Sequence, residues 1–269
     1  MQKRLEALKA KIEGFYSRPW ELYHVPFQVA GPVYYLGNKY VSSFLVDTGE
    51  GLVLIDCGFK ETVYQLFEGI RTLGFDPHNI RHLFLSHGHV DHCGSARFIQ
   101  EYTGCQIWIG EGDRFFFTER RDLIIDEERV PEFRIDEIYD YTQPWRLGNV
   151  TFHFKHTPGH TPGCTSFLID IPENGTTITC AMHGGIGING LSLEELRANR
   201  LPEQLQQDYY HSLLEAKTWK VDVVLPSHNH NYDILSRFTK DDGSCREYHD
   251  SGAWEIMIDS MLEKFKTIL

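Results

Sequence analysis

Along most of this chain the apolar positions fall into short runs whose period switches between that of a helix and that of a strand. The opening stretch, MQKRLEALKAKIEGFY, puts Leu5, Leu8 and Ile12 on one face and predicts a charged amphipathic helix, an extension over residues 1–17. VYYLGN then reads as a strand. VSSFLVDTGEGLVLIDCG reads as two more, FLVD and LVLID, joined by the hairpin signal TGEG. In ETVYQLFEGIRTLGF, the residues Val63, Leu66, Phe67, Ile70 and Leu73 keep helical spacing, and Gly74 suits the end of that helix. RHLFLSH is a short buried strand, GSARFIQEYTG a helix closing at Gly104, and CQIWIG another strand. This alternation of strand and helix argues for a layered α/β domain.

The pattern blurs from about 111 to 140, where DRFFFTERRDLIIDEERVPEF mixes aromatic and charged residues. The expectation there is a helix covering the core followed by a surface loop. The functional alternative is a substrate-facing flap carrying Phe115, Phe116 and Phe117. Strand signals return in VTFHFKH, TSFLIDI and TTITCAM, with PENGT a turn between the last two. PEQLQQDYYHSLLEAKTW is a helix with Pro202 suited to its first turn, VDVVLPSH a buried strand, and SGAWEIMIDSMLEKFKTIL a closing helix. With neither repeat nor linker in view, residues 1–269 read as a single domain. Trp20, Tyr34, Tyr35 and Trp108 are assigned to its core.

Composition narrows the function classes. The chain has 269 residues, 41% hydrophobic and 24% charged, as in ordinary globular proteins. Its apolar runs fall short of the roughly 18 residues a membrane span needs, so no membrane partner is expected. The N-terminus lacks the apolar core of a secretory signal, which points to a cytoplasmic location. A formal net charge of −12 disfavours a nucleic-acid partner and leaves a small-molecule substrate. Six cysteines (Cys57, Cys93, Cys105, Cys164, Cys180 and Cys245) form no CxxC pair, and read as free thiols packed as small hydrophobes. Cys57 and Cys93 stand beside the residues considered next. The oligomeric state is left open.

The chemistry concentrates in four places. SHGHVDHCG, residues 86–94, holds His87, His89, Asp91 and His92 just after a buried strand. Positions i and i+2 at a strand end point to one side, so His87 and His89 can chelate one ion together. Asp91 and His92 open the following helix and can face a second. HTPGHTPGC places His160 between two Pro-Gly turns, LPSHNH places His228 at a strand end, and LIDCG places Asp56 at another. Strand ends gather at one edge of an α/β sheet, where sites form. His87, His89 and His160 make a three-imidazole set with an open position, the donor pattern of catalytic zinc. Asp91, His92 and His228 make a second set. Two such ions sit about 3.5–4 Å apart and share a bridging hydroxide. The remaining histidines (His24, His78, His82, His153, His156, His211 and His249) read as surface or strand residues. His230 is either a solvated loop residue or part of the pocket mouth.

HGHVDH resembles the HxHxDH signature of the metallo-β-lactamase fold superfamily, and LIDCG, TPGHTPG and LPSH fall in that family's order. The match is nearest the third subclass. PFQVAGPVYYLGN, RIDEIYDYTQPWRLGNVTFHFKHTPGHTPGCTSFLID and DYYHSLLEAKTWKVDVVLPSH resemble its segments, so the likeness runs from about residue 25 to the end. It implies a four-layer αβ/βα sandwich: two mixed β-sheets flanked by helices. It carries the ligand role to His87, His89, Asp91, His92, His160 and His228, and makes Asp56 an orienter of ligands. The departure lies after TTITCAM, where many members carry a bridging aspartate. The third subclass has a serine thereabouts, and this chain has His183. That residue is open as a further ligand, a substrate contact or a general acid, against a loop histidine bonded to backbone.

The resemblance implies a hydrolase with two divalent ions, zinc first, with iron or manganese as alternatives. The shared hydroxide would attack a cyclic amide or ester carbonyl while Asp91 orients it or shuttles its proton. A lactonase or a thioester hydrolase of the glyoxalase II kind is the alternative. A redox diiron protein ranks lower, since those members carry glutamate where His89 stands and a flavodoxin domain that this sequence lacks. A non-catalytic relative ranks lower too, because the ligand set is complete.

Overall fold

The computed structural model describes residues 12–238 and 248–269. Leu5, Leu8 and Cys245 therefore lie outside the described residues, while Ile12 sits in a short helix, α1 (12–17), and is buried.

Two sheets form the centre. The first takes seven strands in chain order: β1 (Phe27–Ala30), β2 (Val33–Tyr35), β3 (Phe44–Asp47), β4 (Leu52–Ile55), β5 (Ile80–Phe84), β6 (Gln106–Ile109) and β7 (Glu137–Ile138). β1 to β4 pair antiparallel, and β4 to β7 pair parallel. The crossovers after β4 and β5 carry α2 (Val63–Thr72), then α3 (Val90–Cys93) and α4 (Ala96–Thr103). The second sheet has the order β12-β11-β10-β9-β8. Its members are β8 (Trp145–Leu147), β9 (Val150–His156), β10 (Thr165–Glu173), β11 (Thr176–Met182) and β12 (Val223–Val224). Only its β11–β12 pair is parallel. Between β11 and β12 lie α5 (Leu193–Ala198) and α6 (Gln204–Lys217), and α7 (Ala253–Phe265) closes the chain.

Side-chain alternation decides the layering. In β4, Leu52 and Leu54 face one cluster with Leu66, Ile70 and Ile99 of α2 and α4, whereas Val53 and Ile55 face another. The second cluster also holds Phe152, Phe154, Phe167 and Ile169 of the other sheet, so the sheets pack face to face. Ala181 and Val224, on the far side, pack with Tyr209, Leu213, Trp254 and Ile258 of α6 and α7. The result is helix, sheet, sheet, helix, the four layers expected. Phe84 sits at the seam, edge-on to Trp108, Trp145, Phe152 and Phe154 at 5.2–5.5 Å between ring centres. Among the described residues no helix is long and apolar enough to cross a membrane.

Two expectations are corrected. Residues 111–130 form successive 3-10 turns (Glu111–Phe117, Arg121–Leu123, Glu127–Arg129) rather than an α-helix. Three adjacent phenylalanines cannot share one helical stripe, and the turns instead let Phe116 go under while Phe115 and Phe117 pack half-buried beside it. Trp20 is 62% exposed, on a 3-10 turn over Pro19–Leu22, and is not core.

Candidate metal centre

The loops after β4, β5, β9, β11 and β12 converge on one edge of the sandwich. Asp56 follows β4 with φ +53°, a left-handed backbone that aspartate tolerates better than most residues. Its amide donates to Phe84 O at 2.8 Å, which pins the turn to the neighbouring strand. Fully buried, its carboxylate accepts from Ser86 N and Ser86 Oγ, both at 2.7 Å, and from His92 Nδ1 at 2.7 Å. Ser86 Oγ in turn accepts from His87 Nδ1 at 3.0 Å. Asp56 thus orients His92 directly and His87 through Ser86, one histidine in each ligand set.

Two further outer nitrogens are committed too. His160 Nδ1 donates to Gly187 O at 2.8 Å, and His228 Nδ1 to Tyr40 O at 3.2 Å. With Nδ1 protonated, His87, His92, His160 and His228 each turn a lone pair on Nε2 inward. His87 Nε2 and His160 Nε2 each lie 3.1 Å from His89 Nδ1. His92 Nε2 lies 3.3 Å from His228 Nε2, and Asp91 Oδ2 lies 3.5 Å from His228 Nε2 and 3.9 Å from His92 Nε2. Within each set the ligand atoms fall inside 4.8 Å of one another. The structure therefore brings together all six ligand candidates in the two sets predicted.

Does this donor set fit an ion? Tetrahedral zinc at 2.0–2.1 Å separates its nitrogens by about 3.3 Å, close to the 3.1 Å seen for the first set. Lone pairs facing one another in a buried site repel unless a proton or cation lies between them, and one proton on His89 Nδ1 can serve only one neighbour. Burial holds the first set unprotonated: it pushes His89 down to about 4 against the opposing pull of Asp91, and with adjacent imidazoles second it holds His87 and His160 well below the imidazole range. His228 falls to about 3 for the same leading reason. Burial opposes charge on Asp91 and His92 as well, but they stabilise each other. Helped by His228 and His89, the carboxyl ends below its usual range, and helped by Asp56 the imidazole ends above its own. The residues present suit two divalent cations, one on imidazole alone and one with a carboxylate.

Cys57 and Cys93 do not join them. Both are buried, and burial pushes their thiols well above the usual range. His183 directly follows β11 and is 1% exposed. Neither ring nitrogen has a hydrogen-bond partner among the described residues, and burial lowers it to about 4. It lies outside both ligand sets and both cavities described below. His230 is exposed and lines the cavity over the ligands, with its ring 5.0 Å from that of His228.

Asp113 escaped the sequence reading. It is fully buried and accepts from Gly88 N at 3.0 Å, Thr161 Oγ1 at 2.8 Å and Gly163 N at 2.6 Å. One carboxylate so ties the loop of His87 and His89 to the loop of His160. The backbones meet there without room for a side chain: a Cβ on Gly110 would lie 2.0 Å from Gly163 O. Its only sequence signal is an acid among glycines and aromatics in GEGDRFFF, which spacing cannot distinguish from a surface turn.

Two cavities adjoin the centre. A small one, about 120 Å³, lies over the ligands between Ile12, Tyr40, Ile125 and the Gly184–Gly187 stretch. A larger one, about 810 Å³, shares His89 and His160 with it and runs between the 116–128 turns and residues 189–205.

The model of the metallo-beta-lactamase superfamily matches residues 36–228. An uncharacterized Bacillus subtilis protein, YobT, is 31% identical over 159 residues, which cover 56% of this chain and 66% of its own. The hydroxyacylglutathione hydrolase GloC of Haemophilus influenzae is 28% identical over 149 residues, 54% of this chain and 68% of that one. These matches span about two thirds of each relative. Among solved structures, the subclass B3 metallo-beta-lactamase BJP-1 of Bradyrhizobium japonicum superposes with a TM-score of 0.80 at 24% identity, covering 92% of this chain and 94% of the other.

Proposed function

The chain belongs to the metallo-beta-lactamase superfamily, and on that premise we propose that it is a binuclear metal-dependent hydrolase opening a cyclic amide, lactone, ester or thioester carbonyl. The observation that carries this reading is the convergence of inward-facing lone pairs at 3.1 Å, with the outer nitrogens of His87 and His160 already engaged. His87, His89 and His160 would hold one divalent ion, and Asp91, His92 and His228 the other. Bound there, such ions, zinc foremost, supply Lewis acidity and make hydroxide available near neutral pH. The chain's own residues do the rest. Asp56 fixes the tautomers of His87 and His92. Asp91, ionised in its histidine surroundings, takes the proton of the attacking water on a carboxylate oxygen. Ile12, Tyr40 and Ile125 wall the reaction space against bulk water. His183 is proposed as a buried neutral ring that seats the glycine stretch beside His160, where a Cβ on Gly185 would lie 2.8 Å from the His160 side chain.

The same reading takes the chain as one domain, because the two sheets share a core, and places it in the cytoplasm. The broad cavity beside the ligands, with Phe116, Leu123, Leu196, Leu201 and Leu205 in its wall, favours acyl esters, lactones or thioesters over a dedicated β-lactamase role. The test is turnover of a chromogenic cephalosporin, an acyl lactone and an acyl thioester by zinc-loaded protein. The expected result is chelator-sensitive hydrolysis of at least one, abolished in His160→Ala and Asp91→Asn. Hydrolysis that survives chelation, or full activity in either variant, would overturn the assignment.

A further inference from the structure

The larger cavity has a mixed wall. Phe116, Leu123, Leu196, Leu201 and Leu205 give it an apolar lining, and five carboxylates lie along it: Asp122, Asp126, Glu127, Glu128 and Glu195. Among the described residues its lining includes no lysine or arginine. Cations beside it partly offset those acids: Arg120 donates to Asp122 at 2.9 Å and to Asn199 O at 2.8 Å, Arg121 stands 3.9 Å from Glu127, and Arg200 acts on Asp122, so the five carboxylates outnumber these three. Tyr16 donates to Asp126 at 3.1 Å, and Glu195 caps α5 through Ser192. An excess of negative charge over an apolar trough repels an anion and attracts a cation, and low-dielectric walls focus that field. Continuity with His89 and His160 places the trough where an arm attached to the reacting carbonyl would lie.

We propose that this cavity selects by charge: it takes substrates whose acyl arm is apolar and ends neutral or cationic, and rejects those carrying a carboxylate near the scissile carbonyl. This deepens the hydrolase reading and rests on it for the identity of the reacting group. Two consequences follow. Each methylene of the arm laid against the leucine wall adds roughly fourfold to affinity. Carboxylate-bearing substrates, fused-ring β-lactams and glutathione thioesters among them, are handled poorly.

The first arm of the test needs no turnover. Calorimetry on zinc-loaded protein compares octyltrimethylammonium, octanol and octyl sulfate at low and high salt. The expectation is that the cation binds at least about tenfold more tightly than the anion at low salt. The ratio should narrow as salt screens the exposed carboxylates, and narrow again in the doubly substituted Glu127→Gln/Glu128→Gln protein. Ala198→Trp, at the cavity wall, should remove binding of all three while leaving the metal content unchanged. Equal affinity for the three, preference for the sulfate, or binding that survives Ala198→Trp would each overturn the proposal. The second arm measures kcat/KM on 4-nitrophenyl esters bearing matched arms, where the same ranking is expected. Hydrolysis without ranking sinks the charge selection alone. Ranked binding without hydrolysis of any ester sinks the hydrolase reading and leaves the charge selection standing.

Discussion

The ligand frame and the cavity wall, which share His89 and His160, are built on opposite principles. The frame stands on strand ends: Asp56 after β4, His87 after β5 and His228 after β12, each stitched to a neighbouring strand or loop by hydrogen bonds. The wall at 116–128 and 189–201 is 3-10 turns, one short helix and irregular backbone, with Asp122, Glu127 and Glu128 exposed along it. Rigid elements fix where chemistry happens, and connecting segments fix what reaches it. Damage to the frame should therefore lower activity on every substrate alike, whereas damage to the wall should change the ranking among substrates.

The widest gap is expected at Asp56. Asp56→Ala removes the acceptor that orients one histidine in each set, so metal affinity should fall 10–100-fold, with kcat/KM falling alike for every arm. Metal content after dialysis against a graded chelator reads this directly. Retention of both ions at parent affinity would mean that Ser86 and packing alone position the ligands.

Asp113 comes next. Burial raises its carboxyl to about 6, and hydrogen bonds from Gly163, Thr161 and Gly88 only partly offset that rise. A folded-state pKa above the unfolded value of about 3.9 means that the folded chain binds more protons in between. The contribution is fully present below about pH 4 and lost as pH rises through 6, up to roughly 3 kcal/mol. Asp113→Asn lacks this slope. Thermal melts of chelated parent and variant at pH 4.5 and 7 should show the parent's advantage shrinking toward neutral pH. A constant difference would show that Asp113 stays ionised throughout.

Leu201→Ala tests the wall. It should raise KM up to about tenfold for an octanoyl ester and leave kcat within about twofold, since it removes arm contacts made equally in ground and transition states. A fall in kcat with KM unchanged would place Leu201 in the frame instead. His183→Leu should be milder still, about a fewfold in kcat/KM, because its nitrogens make no hydrogen bonds among the described residues.

The difference between the regions also decided what the sequence disclosed. Metal chemistry draws on few residue types, and strand ends impose short spacings, so HGHVDH, HTPGH and LPSH could be read as two ligand sets before any fold was in hand. Asp56 was readable for the same reason. Asp113 was not, because its role depends on Gly88, Thr161 and Gly163 arriving from other loops. The 111–130 segment was misread as a helix because its aromatic density signals burial but not period. α5 went unpredicted, although Ser192 and Glu195 form a capping box whose spacing was visible in LSLEEL. Trp20 failed in the other direction: size suggests burial, yet the turn at Pro19–Leu22 leaves it facing solvent.

The division of ligands between the sheets has a mechanical consequence. His87, His89, Asp91 and His92 belong to the half of the chain that builds the seven-stranded sheet. His160 and His228 belong to the half that builds the five-stranded one. Each ligand set takes members from both, so an ion held in either set would rivet one half to the other. Such a rivet acts only in the folded chain, and it strengthens with the free metal concentration around it. A disulfide would fix that bond permanently. A metal rivet could be set and withdrawn, adding to the apolar core that the two sheets already share.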